Sequence, residues 1–244
     1  RLDIFSAALD SRAMNRLFMA LLLPALIVCA LLYRFAQVDL WVAGQFYDGA
    51  SFPWRAAELP NFFHNIVHPL SLSLAAVFAA LTLWHAVRKS GWRRWAFMLL
   101  TLIIGPGLIA NTLLKDNWGR ARPVQVEQFG GSAQFTPPFV IAGQCDKNCS
   151  FVAGDPSFGF WTQALAYIVP RRRRQVFWAG ISVGAFYGVL RIGMGAHFFS
   201  DVVIGCLLML MSNAAICALL FGRRYVDICW REWLGLTPRR VVKT

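Results

Sequence analysis

The chain has 244 residues, of which 57% are hydrophobic and only 15% charged, with a formal net charge of +12. Soluble domains are about a quarter charged, so this balance excludes an ordinary soluble fold and points to the bilayer. A basic excess can serve nucleic acid, but in a membrane protein it collects in cytoplasmic loops and against anionic lipid, so the placement of the charges decides.

Crossing roughly 30 Å of hydrocarbon at about 1.5 Å per helical residue takes about 20 mostly apolar residues. Six stretches meet this, at about 17–35, 66–87, 95–114, 151–169, 175–190 and 198–221. The expected fold is all-α, a polytopic bundle of about six transmembrane helices in a single membrane domain. Residues 1–16 are then a cytoplasmic segment, 17–221 the core and 222–244 a cytoplasmic tail. The first apolar run is long and lacks a convincing cleavage site, so it reads as an anchor, not a signal peptide.

Residues 36–65 mix Trp41, Phe46, Tyr47, Phe52 and Trp54 with few charges, as expected of an amphipathic segment at headgroup level. Residues 115–150 are polar and turn-rich, with Gly130-Gly131 and Pro137-Pro138, and form a loop on the extracytoplasmic side. Cys145 and Cys149, in that loop, are spaced for a disulfide in an oxidising compartment, whereas a zinc site would need further ligands that the loop lacks. Cys29, Cys206 and Cys217 fall within spans and read as small apolar residues. In the fourth span Gly154, Asp155, Pro156 and Gly159 interrupt the first turns, and such irregular backbone survives only inside protein or beside water.

Seventeen of the 24 lysines and arginines fall on one side of this layout and seven on the other. The positive-inside rule puts both termini in the cytoplasm, and a distribution that follows topology counts against nucleic acid. The minority side, the periplasmic one in a bacterial-type inner membrane, holds Lys115, Arg122 and Arg191, and His197 and Asp201 lie there too.

A purely structural reading would have the cations snorkel to headgroups and His197 cap a helix. Spacing favours chemistry. His197 and Asp201 are i and i+4, so on a helix they share a face and the carboxylate can hold one imidazole nitrogen, leaving the other free to attack. Guanidinium groups suit bidentate contact with phosphate oxygens and lysine adds a compact charge. Phosphoryl transfer asks chiefly for positioning and charge neutralisation, so three cations and one oriented nucleophile form a sufficient set. His64 and His68, i and i+4 on the outer side, read as structural, since no third metal ligand accompanies them, and His85, near the cytoplasmic end of the second span, reads as interfacial.

These residues resemble the motifs of the type-two phosphatidic acid phosphatases, a superfamily shared with bacterial acid phosphatases and vanadium haloperoxidases. Lys115 to Pro123 matches its lysine, six residues, arginine, proline. Arg191, His197 and Asp201 match its arginine, five residues, histidine, three residues, aspartate. The resemblance implies that His197 is the nucleophile of a phosphohistidine intermediate, that Asp201 orients it, and that Lys115, Arg122 and Arg191 clamp the phosphate, with no metal or organic cofactor.

The middle motif departs from the pattern. Where the superfamily has proline, serine, glycine, histidine, this chain has Val152-Ala153-Gly154-Asp155. Gly154 can still offer its backbone N–H to a phosphate oxygen. Asp155, in place of the histidine that would protonate the leaving group, is open as an acid, a substrate contact or neither. An alternative alignment uses Pro156-Ser157 and Gly159. The altered motif is similar to that of the lipid A phosphatases. The leading expectation is an integral membrane lipid phosphate phosphatase, with lipid A-type, phosphatidate-type and isoprenoid diphosphate substrates open. The alternatives are a lipid phosphotransferase and a non-catalytic lipid-phosphate binding or transport protein. The expected partners are the lipid substrate and the bilayer, with no obligate protein partner.

Overall fold

The computed structural model describes residues 22–236. Residues 1–21 and 237–244 lie outside it, and with them the expected cytoplasmic segment, the start of the first span and the end of the tail. Apart from an isolated bridge between Val126 and Ala133, the regular structure described is helical.

Helix α1 (Leu22–Arg34) meets α2 (Gln37–Gly44) at a bend of 77°. A short 3₁₀ turn, Pro53–Arg55, leads into the 30-residue α3 (Glu58–Val87). Next come α4 (Arg93–Lys115), a long loop, α5 (Gly154–Trp161), α6 (Leu165–Ile168), α7 (Arg173–Gly193), α8 (Phe199–Phe221) and α9 (Arg223–Trp233). Among the described residues α3, α4, α7 and α8 are long and apolar enough to cross a bilayer, and the bent pair α1–α2 is a fifth candidate.

The remaining expected stretch is 151–169. This stretch is helical without a gap from Gly154 to Ile168, as α5, a 3₁₀ turn and α6, and it carries the chain from the end of the bundle where α5 starts to the basic connection at Arg171–Arg174, shorter than a span that faces lipid. Phe158, Phe160 and Trp161 are buried with Gly154, Pro156, Ser157 and Gly159. A helix apolar on all sides belongs in a core, and here the surrounding protein replaces the lipid. The approach of α5 to α7 is set by small residues: a Cβ on Gly184 would overlap the Phe160 ring, and one on Gly180 would overlap the Gln163 backbone. Helix α3 is the opposite case, exposing Phe62, Leu70, Leu72, Val77, Leu83 and Val87, a surface suited to hydrocarbon.

The second half of α4, Ile103–Lys115, is π-helical. Pro106 lacks an amide hydrogen and cannot hold a regular turn, and Asn111 Nδ2 donates to the Pro106 carbonyl five residues back at 2.8 Å. The widened turn carries Lys115 at its end. After α8 the described part of the expected tail packs back on the bundle. Helix α9 buries Cys229, Trp230 and Trp233, with Trp233 stacked on Phe177 at 4.4 Å and Glu232 paired with Arg173 at 3.1 Å.

This order brings the ends of α4 and α7 and the starts of α3, α5 and α8 to one end of the bundle. The basic connections Arg88 to Arg94 and Arg171 to Arg174 fall at the other.

Candidate active site

His197 sits in the short link between α7 and α8. The link turns at Gly195, whose φ of +61° suits glycine and whose face is covered by the Phe52 ring. The side chain is fully buried. Its Nδ1 lies 2.7 Å from the Ser150 carbonyl oxygen, and because a carbonyl only accepts, Nδ1 carries the hydrogen. The lone pair is then on Nε2, which is buried and has no hydrogen-bond partner among the described residues. Burial, followed by the charges of Lys115, Arg191 and Arg122, pushes the imidazole well below its ordinary pKa. A neutral ring with a free lone pair beside cations is chemically able to attack a bound anion.

Asp201 does not bond His197 directly. Its Oδ2 is 3.8 Å from Nδ1, beyond hydrogen-bond range. The i,i+4 expectation assumed one helix through both residues, but Phe198 is extended and the helix begins at Phe199. Asp201 instead accepts from Ser150 Oγ at 2.6 Å, from the Phe198 amide at 2.9 Å and from Arg120 Nη1 at 2.6 Å. It thus fixes both the residue that holds the imidazole and the chain that carries it.

Arg120 ties this layer to the first helices. It is fully buried and donates to the Thr136 carbonyl at 2.9 Å, Ser200 Oγ at 2.9 Å and Asp39 Oδ2 at 2.8 Å, besides Asp201. Asp39 in turn accepts from the Ser200 amide and hydroxyl at 2.7 and 2.5 Å. A buried guanidinium is tolerable only when paired and bonded in this way.

The three expected cations converge around His197. Lys115 ends α4 and its Nζ has no hydrogen-bond partner among the described residues. Arg122 Nη2 donates to the Asn148 carbonyl at 2.6 Å. Burial, with Arg191 and Arg55 nearby, lowers the Arg122 pKa to about 10. That crowding of like charges is relieved by a bound anion. Gly154 opens α5 against this group, where a Cβ would stand 2.5 Å from Asn111 Oδ1 and 3.3 Å from Lys115 Nζ, so glycine lets the backbone come this close without displacing the Asn111 side chain. Asp155 Oδ2 lies 3.2 Å from Arg191 Nε and 2.6 Å from His64 Nδ1. Ser157, the alternative alignment's serine, is buried and donates to the Ala153 carbonyl at 2.7 Å. Cys145 and Cys149 form a disulfide beside Asn148.

Residues 95–225 match the PAP2 superfamily, more than half of the chain. This chain belongs to the PAP2 superfamily. It is 37% identical over 206 residues to a protein named lipid A 4'-phosphatase from Francisella tularensis subsp. novicida, covering 78% of this chain and 89% of that one. Proteins of the same name from Rhizobium leguminosarum and Rhizobium etli are 41% and 40% identical over 120 and 119 residues, with the matches covering about half of each. No solved structure matches. The membrane lipid phosphatase activity expected from the sequence stands on this membership.

The two outer PAP2 motifs thus come together, while the residues behind and beside them were not visible in sequence. Arg120 lies inside the first motif, but its partners are 81 residues away on either side. Asp39 carried a signal in being an acid within an apolar stretch, which is costly unless paired. His64, expected to be structural, stands at the site. His85 meets Ser90 at the opposite end of the bundle.

Proposed function

We propose that this PAP2 protein removes a phosphate from lipid A through a phosphohistidine on His197. The observation that carries the reading is the buried His197 Nε2, unpartnered and presented to Lys115, Arg122 and Arg191. The cations hold three equatorial oxygens of the phosphate, with the α5 amide at Gly154 adding a neutral donor. Nε2 attacks phosphorus in line with the departing lipid oxygen, and charge spread over the equatorial oxygens in the transition state meets the clamp. Loss of the leaving group gives phosphohistidine, which water then hydrolyses. The Ser150 carbonyl accepts from Nδ1–H throughout, so the ring charge that develops on attack is held by a fixed dipole, with Asp201 close behind it.

The substrate class rests on the lipid A 4'-phosphatase names of the relatives and on a site at one end of an apolar bundle, where a headgroup can enter while its chains stay in lipid. The 17-to-7 division of basic residues supports a bacterial-type inner membrane, with cytoplasmic termini and the site facing the periplasm. The test is purified protein with lipid A bearing phosphates at both ends, followed by mass spectrometry. Loss of the 4'-phosphate alone is expected, and an unaltered substrate would overturn the proposal.

A further inference from the structure

The PAP2 middle motif has a histidine as proton donor, and the structure shows what stands there instead. Asp155 points its carboxylate at His64, which comes from a different helix, 91 residues earlier in sequence. The contact is 2.6 Å from Nδ1. The same Asp155 oxygen lies 3.2 Å from Arg191 Nε, so one carboxylate joins His64 to the phosphate clamp. The exposures also differ in a useful way. The Asp155 side chain is 13% exposed while that of His64 is 41% exposed, so the imidazole keeps part of its surface open beside a carboxylate that is nearly covered. His64 lies early in α3, whose apolar surface is largely exposed.

Resting on the phosphatase reading, we infer that His64, held by Asp155, is the general acid and base of the reaction, occupying in space the role that Asp155 vacates in sequence. With Nδ1–H bonded to Asp155, a protonated His64 gives its Nε2 proton to the lipid oxygen as the P–O bond breaks and the His197 N–P bond forms. The departing alcohol is neutral and His64 is left neutral. In the second step Nε2 of His64 takes a proton from water as the water oxygen bonds to phosphorus and the N–P bond breaks. Phosphate leaves, and both histidines return to their starting states. Asp155 is then a positioning residue with two duties, fixing the tautomer of His64 and aligning Arg191.

A proton donor matters in proportion to how poor the leaving group is. Without a proton donor a sugar-ring alcohol would have to leave as a strongly basic alkoxide, whereas a nitrophenolate leaves unaided. The experiment uses two substrates on the same dodecyl tail, an alkyl phosphate and a nitrophenyl phosphate, and reads alcohol or phenol release in a single turnover. His64→Gln and His64→Ala should slow the alkyl substrate by about 100-fold or more, with the nitrophenyl substrate within about fivefold of wild type. Added imidazole should restore part of the alkyl rate to His64→Ala. Retained nitrophenyl turnover serves as the folding control. Equal losses on both substrates, or an unchanged alkyl rate, overturn the assignment of His64 while leaving the phosphatase reading in place. A wild-type protein that releases neither alcohol nor phenol overturns both.

Discussion

At the scale of single residues, the site depends on charges that balance only as a set. Lys115, Arg191 and Arg122 disfavour protonation of His197, after burial itself. Removing one of them should therefore raise the imidazole pKa. For a nucleophile that acts unprotonated, the acid limit of kcat/KM then moves to higher pH. Lys115→Gln is expected to shift that limit upward and to raise KM, as a pH profile on a short-chain lipid phosphate would show. An unmoved limit would mean that Lys115 does not face the imidazole. Arg120 sits differently, with no route to substrate. Arg120→Leu leaves Asp39 and Asp201 buried without their partner, a loss expected to cost about 3–5 kcal/mol. The measurement is the thermal midpoint in detergent, which should fall sharply together with activity, whereas exposed Arg171→Leu should leave it unchanged.

At the scale of elements, α5 is the piece whose surroundings the sequence described least well. Its hydrophobicity matched that of a span, but hydropathy does not tell whether lipid or protein covers a helix. Burial by α7 and α8 lets it begin with Gly154-Asp155-Pro156 and present those residues to the site. The glycine seam makes this possible. Gly184→Leu would drive a side chain into the Phe160 ring and is expected to cost about 1–3 kcal/mol from overpacking. Differential scanning in detergent should show the drop, and an unchanged midpoint would mean that α5 and α7 do not touch there. The loop before α5 has its own fastening. The Cys145–Cys149 disulfide brackets Asn148, whose carbonyl holds Arg122, and the Cys149 amide donates to the Lys115 carbonyl at 2.9 Å. Replacing both cysteines with serine should raise KM by up to about tenfold, less than the full worth of one charged hydrogen bond, with little change in kcat.

At the scale of the whole molecule, much of the architecture was legible because lipid exposure writes long apolar runs, and α3, α4, α7 and α8 are such runs. The cations and His197 were legible because their spacing lies within two short segments. Less visible were contacts between distant segments: Asp39 with Arg120, His64 with Asp155, and the Ser150 carbonyl with His197. These are set by how helices pack, which one-dimensional spacing does not record. The i,i+4 pair shows the same limit, since one extended residue at Phe198 separates two side chains that a continuous helix would align. The orientation proposed from the basic residues has its own test. Cysteines introduced at 124–140 should react with an impermeant reagent in intact spheroplasts, and labelling only after permeabilisation would reverse the topology. The central claim is that His197 carries the phosphoryl group, and the most direct measurement is a trapped phosphoenzyme from lipid A radiolabelled in its 4'-phosphate. Acid-labile, base-stable label on the wild-type protein and none on His197→Ala is the expected result, and equal labelling of the two proteins would contradict it.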